Sequence, residues 1–498
     1  MTEPLLAPAE LDALRDALAA WTPDAVQELL GPVGRAAHER GDLRGVDRVL
    51  PPDERLAVLV RLFLLGQPVP SAQAAAALAP LALDAAAALV EQSVGSVRAR
   101  VEIRPYADTS GGGPWWVVSD FGSDVRPGPL ADDHVLGIGT ASLTLAQAVI
   151  RTSTGRALDL GTGCGVQALH LARHASSVVA TDVSARALRM AATTAALSGQ
   201  SWELRRGSLL APVADERFDV VVANPPFVVS PGLRAGDGGY DYRDSGLAGD
   251  EVSRRLVSGI GAHLAPEGTA SLLANWVIPS DGDWAGRLES WLAGTDCDAW
   301  VWQREVVEPG EYVALWLRDA GELPGTPRWA QRYDAWLSWF DAAGVPAIGM
   351  GLVTLWRRGS DRPVVVCEDV PQAVEQPVGP YLPAWIARQR RLAALDDAGL
   401  LGAALRQVPD LVRTTDSLAG PDGWTPARTV LRQSHALRWE LEADDAITGL
   451  VAACQGTVPL GVLLSLLASS SGASLDEVVG AALPVVRDLV ARGFLDFA

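Results

Sequence analysis

Hydrophobic positions in the middle of the chain switch repeatedly between two spacings. Short apolar runs typical of buried strands occur at 156–160, 178–181, 218–223 and 269–275. The stretches between them, such as 166–172, 185–197 and 251–264, carry apolar residues at helical spacing. Strands that alternate with helices form parallel sheets. We therefore predict an α/β domain with a mainly parallel sheet and helices on both of its faces.

The two ends of the chain have a mainly helical pattern. Helical spacing occurs at 10–20, 24–30, 53–65, 72–78 and 84–92, followed by two strand-like segments at 97–104 and 115–119 around a Gly-Gly-Gly-Pro turn. At the other end, helical stretches at 444–454, 460–467 and 475–493 precede a short strand at 494–497. This order is typical of winged-helix-like modules. We predict three domains: 1–125 and 371–498, both winged-helix-like, and 126–370 between them.

A turn with three alternating glycines follows the first central strand. The strand 156–160 has the sequence RALDL, and the glycine loop (residues 161–165) has the sequence GTGCG. A strand, a tight glycine turn and a helix allow the backbone to approach a ligand closely. Taken alone the pattern is weak evidence, since a nicotinamide dinucleotide site uses similar parts. The spacing G-x-G-x-G nevertheless differs from the dinucleotide pattern G-x-G-x-x-G.

The second central strand ends in a carboxylate. Asp182 follows the run Val178-Val179-Ala180-Thr181, at a spacing suited to binding ribose hydroxyls. Ser184 comes two residues later and is a suitable N-cap for the helix predicted at 185–197.

The sequence Asn224-Pro225-Pro226-Phe227 follows the next strand and is the most informative motif of the chain. A planar amine is a poor nucleophile, because its lone pair is delocalised. An asparagine side-chain oxygen and the following backbone carbonyl can accept its two N–H groups and orient the lone pair. Two prolines stiffen the turn, and Phe227 offers a flat face for stacking. The alternative is a strand that simply ends at prolines.

Together these segments resemble class I S-adenosylmethionine-dependent methyltransferases, in the small-domain group with an N/D-P-P-Y/F/W motif. The resemblance implies a Rossmann-like sheet and methylation of an exocyclic amine of a nucleobase or of a protein glutamine amide. It also implies that residues 224–227 are catalytic. Ser208 stands where the family usually has an acidic residue for the adenine. The implied cofactor contacts are Thr140, Asp159, Gly161, Thr162, Gly163, Gly165, Asp182, Val183, Gly207, Ser208 and Asn224.

Further acceptor contacts are predicted downstream of the motif. The glycine-rich segment 236–250 contains Tyr240, Tyr242 and Arg243, which are candidates for a mobile segment that touches the acceptor. A surface loop without contacts is the equal alternative. Trp276 ends a predicted strand and is a candidate for the pocket wall. Ten of the 17 tryptophans lie between residues 276 and 356, where their spacing predicts a packed core for most of them.

A polar segment precedes the first central strand. Thr140 lies where related enzymes close over the methionine end of the cofactor, and the alternative role is a helix N-cap. Asp132, Asp133 and His134 suggest metal or acid–base chemistry only weakly, and we favour a polar loop. Histidines are few, and the four cysteines are scattered without C-x-x-C spacing, so we expect no metal site.

Composition is that of a multidomain protein of the cytoplasm. Of the 498 residues, 48% are hydrophobic, which is ample for buried cores. No secretory signal is apparent in the first residues, and no apolar run is long enough to span a bilayer. We expect a cytoplasmic protein with no membrane partner.

Charge complicates the choice of acceptor. The formal net charge is −19, and all 41 basic residues are arginine, which fits a GC-rich bacterial genome. An acidic protein loses much of the counterion-release contribution that dominates nucleic-acid affinity. A local patch of arginines is still sufficient to bind phosphates. Arg98, Arg100 and Arg104 alternate on one predicted strand. For these three we favour a solvated hairpin face over phosphate contacts.

These observations predict a methyltransferase that acts on a planar nitrogen, and we favour an exocyclic amine in ribosomal or transfer RNA. A protein glutamine amide, a small metabolite and a non-catalytic cofactor-binding regulator remain alternatives. The terminal domains are candidates for docking of a protein partner.

Overall fold

The computed structural model describes residues 2–108, 111–233, 239–359, 362–421 and 423–498. The chain forms two compact units. The first comprises Met1–Ala146, Thr152–Asp361 and Cys367–Asp369, and the second comprises Gln147–Arg151, Arg362–Val366 and Val370–Ala498. The three-domain division stays a prediction.

The first unit begins with helices and two small sheets. In chain order its elements are α1 (Pro8–Leu18), α2 (Pro23–Glu39), α3 (Leu43–Val49), α4 (Arg55–Phe63), β1 (Val69–Pro70), α5 (Ser71–Leu78), β2 (Val90–Ser93), β3 (Ser96–Ala99), β4 (Glu102–Asp108) and β5 (Gly112–Ser119). The sheets have the orders β1-β3-β2 and β4-β5. Buried side chains of the helices, including Leu14, Leu18 and Phe63, form the core of this region.

Two expectations for this region were wrong. The alanine-rich stretch 84–92 predicted a helix, but it forms turns and then β2, because Val90 pairs with Ala99 of β3. The single strand expected at 97–104 is divided between β3 and β4, which belong to different sheets. The arginines of that stretch bind within the chain: Arg98 to the Gly66 carbonyl, Arg100 to the Val90 carbonyl and Arg104 to the carboxylate of Glu102. The choice between a solvated hairpin face and phosphate contacts stays a prediction.

The large sheet and its helices follow. In chain order they are α6 (Thr140–Ala148), β6 (Thr154–Leu160), α7 (Val166–Leu171), β7 (Ala175–Asp182), α8 (Ala185–Leu197), β8 (Glu203–Arg206), β9 (Phe218–Ala223), α9 (Glu251–Gly259), β10 (Leu264–Ile278), α10 (Trp284–Leu292), β11 (Cys297–Val307), α11 (Pro309–Asp319), α12 (Pro327–Ala343), β12 (Ala347–Arg357) and β13 (Val365–Asp369). Single 3₁₀ turns occur at Ala211–Val213 and Ile260–His263.

The strand order of this sheet is β13-β11-β12-β10-β9-β6-β7-β8. The five strands from β10 to β8 run parallel, and β12 is antiparallel to both β10 and β11. The central strands β6, β7, β9 and β10 are largely buried toward their carboxyl ends, and their Val, Leu and Ala residues explain the apolar runs of the sequence. The predicted α/β sheet is therefore confirmed.

Strand register places the three motifs at one edge of the sheet. Leu160 is paired with Thr181 of β7 on one side and with Ala223 of β9 on the other. Parallel strands in register leave the sheet together, so the residues that follow (Gly161, Asp182 and Asn224) emerge side by side. Ligands of open α/β sheets bind at this carboxyl edge.

The second unit is mainly helical with small sheets. Its elements are α13 (Leu382–Ala393), α14 (Asp397–Gly402), β14 (Ala404–Gln407), β15 (Leu411–Gly420), β16 (Gly423–Gln433), β17 (Glu440–Glu442), α15 (Asp445–Ala453), β18 (Gln455–Pro459), α16 (Leu460–Ser471), α17 (Leu475–Ala491) and β19 (Leu495–Phe497), with a 3₁₀ turn at Gly379–Tyr381 before α13. The three predicted helices and the terminal strand are confirmed. The long ribbon β15–β16 was not predicted.

Candidate active site

The glycine loop (residues 161–165) has the conformation that only glycine adopts without strain. Gly161, Gly163 and Gly165 have φ values of +74°, +53° and +87°. The amides of Gly161 and Thr162 both donate to the Thr181 carbonyl at 2.9 Å, which fastens the loop to β7. A Cβ at Gly163 would meet no atom within 4 Å, whereas one at Gly165 would lie 2.7 Å from the Trp202 ring. Gly163 therefore borders open space, and Gly165 is required by packing.

Asp159 lies beneath this loop and is 1% exposed. Its Oδ2 accepts hydrogen bonds from the Thr162 hydroxyl at 2.6 Å and from the Ala168 amide at 3.0 Å. Its Oδ1 is buried and has no partner in the described part of the chain. Burial raises the pKa of Asp159 to about 7, although both hydrogen bonds oppose the shift. A buried carboxylate oxygen without a partner can accept a hydrogen bond from a cationic amino group of a ligand.

Asp182 connects the ends of β6 and β7. Its Oδ2 accepts from the Gly163 amide and its Oδ1 accepts from the Ser184 amide, both at 2.9 Å. Burial raises the pKa of Asp182, although the hydrogen bonds from these two amides act to lower it. Each oxygen keeps a second lone pair that a ribose hydroxyl can use. Val183 is 43% exposed, and Ser184 caps α8 as predicted by accepting from the Ala187 amide.

The expected adenine contacts lie after β8. The Gly207 amide donates to the Asp182 carbonyl at 3.0 Å, which ties this turn to the end of β7. Ser208 is exposed. The next residue, Leu209, has a φ of +49°, a strained conformation for a leucine that no sequence signal indicated.

The Asn-Pro-Pro-Phe turn (residues 224–227) adjoins the glycine loop. A Cβ placed on Gly161 would lie 3.6 Å from the Asn224 carbonyl oxygen, so the two segments are in close contact. Asn224 is partly exposed, and its side-chain amide has no hydrogen-bond partner within the described ranges. The Phe227 amide donates to the Pro225 carbonyl at 2.7 Å, which keeps the turn tight and uses one lone pair of that oxygen.

Phe227 belongs to an aromatic cluster. Its ring is edge-on to Trp316 of α11, with centroids 6.1 Å apart and planes at 71°. Both rings are partly exposed. Trp316 is one of the ten tryptophans for most of which the sequence predicts a packed core, and it does pack against one. No local sequence signal indicates its contact with Phe227. The two rings present steeply inclined apolar faces at the Asn-Pro-Pro-Phe turn.

The other predicted acceptor contacts are less accessible. Tyr240 and Arg243 are each 1% exposed, and Tyr242 donates to Asp319 at 2.9 Å. Residues 234–238 of the glycine-rich segment lie outside the described residues. Trp276 is completely buried and stacks on Trp284, with the ring centroids 5.7 Å apart. No face of its ring is open to an acceptor, so Trp276 is no longer a candidate for an acceptor contact.

The polar segment before β6 contacts residues that follow the Asn-Pro-Pro-Phe turn. Thr140 is exposed at the first residue of α6, and its cofactor contact stays a prediction. His134 is buried with its ring edge-on to Tyr242 at 5.8 Å, and burial lowers its pKa. The Asp241 amide donates to the Asp132 carbonyl at 2.8 Å, which joins this segment to the residues after the turn.

Sequence comparison gives matches along three parts of the chain. Residues 135–235 match the family described as "Methyltransferase small domain". Residues 18–100 and 383–496 match two families described only as domains of unknown function.

Similar proteins modify components of translation. A ribosomal protein uL3 glutamine methyltransferase of Bradyrhizobium diazoefficiens is 34% identical over 28% of this chain and 46% of its own length. A release factor glutamine methyltransferase of Xylella fastidiosa is 34% identical over 40% of this chain and 71% of its own. A ribosomal RNA small subunit methyltransferase C of Alcanivorax borkumensis is 33% identical over 25% of this chain and 34% of its own. The chain thus spans less than half of the first and third relatives.

Two solved structures are similar at low scores. A 16S rRNA N2 guanine methyltransferase of T. thermophilus, in complex with AdoMet and guanosine, is 18% identical, with 52% of this chain and 66% of that chain covered and a TM-score of 0.28. The YcgJ protein of Bacillus subtilis is 14% identical, with 44% and 99% covered and a TM-score of 0.29. These scores add nothing to the fold described above. No helix of the described residues has the length and hydropathy of a membrane span.

Proposed function

The chain belongs to the small-domain family of S-adenosylmethionine-dependent methyltransferases, and on this premise we propose that it methylates an exocyclic amine of a nucleobase in ribosomal or transfer RNA. S-adenosylmethionine supplies a methyl group made electrophilic by its positively charged sulfur. In this proposal the open space at Gly163, the unpartnered oxygen of Asp159 and the carboxylate of Asp182 hold the cofactor.

The observation that carries the proposal is the contact between the Asn-Pro-Pro-Phe turn and the glycine loop, with the Asn224 amide unpartnered. The Asn224 side-chain oxygen accepts one N–H of the acceptor amine, and the second lone pair of the Pro225 carbonyl accepts the other. Both bonds turn the nitrogen lone pair toward the glycine loop. The gain comes from orientation, which contributes strongly to catalysis when the reacting atoms are held about 3–3.5 Å apart.

The aromatic walls favour a flat acceptor. Phe227 and Trp316 are both partly exposed and steeply inclined to each other, so a planar ring can stack on one and meet the other at its edge. Base–aromatic stacking contributes about 1–3 kcal/mol per base. An aliphatic glutamine arm gains less from such walls.

A protein glutamine amide is the second candidate, because two of the similar proteins are named as glutamine methyltransferases. An amide NH2 has the same two N–H groups and planar geometry as a base amine, so Asn224 suits both acceptors. The net charge of −19 also favours a protein acceptor, since it repels phosphates. We propose that the terminal regions dock a protein partner, and that the chain acts in the cytoplasm.

The test uses S-adenosylmethionine with a labelled methyl group and the full-length protein. Acceptors are unmodified ribosomal RNA, transfer RNA, ribosomal proteins, release factors and a small-molecule extract. We expect the label in RNA, and after digestion of the RNA we expect it in an N-methylated nucleoside. Label recovered as N-methylglutamine would replace the RNA acceptor by the protein one, and label in no fraction would indicate a cofactor-binding regulator. Asn224→Ala serves as the inactive control.

A further inference from the structure

The helical hairpin α11–α12 leaves the large sheet between two neighbouring strands. β11 and β12 are antiparallel, and Val307 at the end of β11 is paired with Ile348 near the start of β12. Such strands are commonly joined by hairpin loops of about two to five residues. Residues 308–346 are therefore far more than the connection requires. The contacts of the two helices indicate the role of this long connection.

The strongest contacts are made to the segment that leaves the Asn-Pro-Pro-Phe turn. Tyr312 of α11 accepts a hydrogen bond from the Val229 amide at 2.9 Å, and Trp336 of α12 donates through Nε1 to the Val229 carbonyl at 3.2 Å. All three residues are at most 2% exposed. Both polar groups of one residue are thus bound by side chains of the hairpin. Because Pro225 and Pro226 have no N–H to donate, the turn depends on such anchors further along the chain.

Tyr312 also reaches the neighbouring strand. Its phenol oxygen accepts a second hydrogen bond from the Asn275 side chain at 2.8 Å, and Asn275 lies on β10, which pairs with β9. Its ring contacts Trp316 with centroids 6.0 Å apart, and Trp316 in turn contacts Phe227. Helix α11 therefore holds both the main chain after the turn and the aromatic ring within it.

The segment 239–244 is joined to the same hairpin. Arg243 donates to the Trp316 carbonyl at 2.9 Å, and its guanidinium lies 4.9 Å from the centroid of the Tyr240 ring and 5.3 Å from that of Trp336. The Tyr240 hydroxyl donates to Glu322, which follows α11, at 3.3 Å. A buried cation held in this way fixes the segment against the helices. These contacts explain why Tyr240 and Arg243 are inaccessible.

We propose that the helical hairpin α11–α12 orients the Asn-Pro-Pro-Phe turn for the acceptor, with Tyr312 and Trp336 as positioning residues. The proposal rests on the proposed function, because orientation of the turn affects turnover only when Asn224 binds the acceptor. Loss of either hydrogen bond to Val229 makes the turn more mobile and leaves the residues assigned to the cofactor unchanged. A displacement of about 1 Å in a reacting group costs roughly a hundredfold in rate.

The test compares Tyr312→Phe with the wild type and with Tyr333→Phe, which removes a hydroxyl from the same hairpin without a bond to Val229. Hydrogen exchange is followed in the peptide 224–231, where three prolines leave few amides to report. We expect faster exchange in Tyr312→Phe, unchanged exchange in the glycine-loop peptide 157–165, and roughly ten- to hundredfold slower turnover. The cofactor dissociation constant should stay at the wild-type value. Tyr333→Phe should match the wild type throughout.

Trp336→Phe removes the other anchor but keeps a ring in the core, and it should give the same pattern if Tyr312→Phe folds poorly. Unchanged exchange in the peptide 224–231 of both variants would overturn the proposal. Faster exchange with wild-type turnover would overturn it as well. A wild type that binds cofactor but methylates no acceptor contradicts the proposed function instead, and the exchange data then still decide whether the hairpin anchors the turn.

Discussion

The glycine loop and the Asn-Pro-Pro-Phe turn are in contact at Gly161, yet the chain holds them by different means. The loop is fixed by backbone amides and by Asp159 and Asp182, all of them within about one β-α-β unit of sequence. The turn is fixed by Tyr312 and Trp336, which are 83 and 107 residues away from Val229. The proposed cofactor side is therefore held by local contacts, and the proposed acceptor side depends on the helical hairpin α11–α12.

This difference has a functional consequence. Variants of the loop should change cofactor affinity, whereas variants of the turn and its supports should change turnover at constant cofactor affinity. Measuring cofactor affinity and turnover in the same variants shows whether the two sides can be separated in this way.

The largest effect is expected for Asn224→Ala. The substitution removes the side-chain acceptor of the amine and leaves the glycine loop intact, so turnover should fall by about two to four orders of magnitude. Calorimetric titration with S-adenosylmethionine should give the wild-type dissociation constant. Loss of cofactor binding in this variant would place Asn224 on the cofactor side.

Asp182→Ala should weaken cofactor binding by about ten- to hundredfold, because it removes a charged hydrogen-bond acceptor. Asp219→Ala is the matched control, since Asp219 also accepts two backbone amides, from Gly155 at 2.9 Å and Arg156 at 2.7 Å. Asp219 precedes the buried run of β9, at the opposite end of that strand from Asn224. Equal cofactor affinities in the two variants would reassign Asp182 to a purely structural role.

Gly163→Ala should raise the cofactor dissociation constant by roughly tenfold, because the added methyl group occupies the open space above the loop. Gly199→Ala controls for backbone strain: its φ is +66°, against +53° at Gly163, and neither Cβ would meet an atom within 4 Å. Both variants should lose about 1 kcal/mol of stability. Wild-type affinity in Gly163→Ala would move the cofactor away from this glycine.

The smallest effect concerns pH. Burial raises the pKa of Asp159 from 3.8 to about 7, so the folded protein binds a proton that the unfolded chain has lost. The contribution of Asp159 to the free energy of unfolding is therefore largest below pH 3.8 and declines until the pH passes about 7. A cationic ligand group prefers the ionised carboxylate, so cofactor affinity should rise by up to about tenfold between pH 6 and 8.

Asp159→Asn keeps the shape of the side chain and should lack this part of the pH dependence. Titrations of both proteins across the same pH range provide the comparison. The same slope in both would show that Asp159 takes no part in the response.

The sequence signal was strongest where it was local. The glycine turn and the carboxylate after β7 are visible in a few consecutive residues, and the structure joins Gly163 to Asp182 by a hydrogen bond. Their cofactor roles stay predictions. No sequence signal indicated the contacts of Trp316 and Tyr312, whose partners are brought close only by the return of a helical hairpin. Sequence reasoning failed at 84–92, where helix propensity predicted a helix but the pairing of Val90 with Ala99 produced a strand. Burial of Trp276 was likewise determined by distant neighbours.

The most direct test of the account is a crystal structure of the full-length protein with S-adenosylhomocysteine and the nucleoside that carries the acceptor amine. We expect the sulfur beside Gly161 and Gly163, with the amine nitrogen hydrogen-bonded to the Asn224 side chain and to the Pro225 carbonyl. An amine bound elsewhere, or an Asn224 side chain turned away from the sulfur, would contradict it.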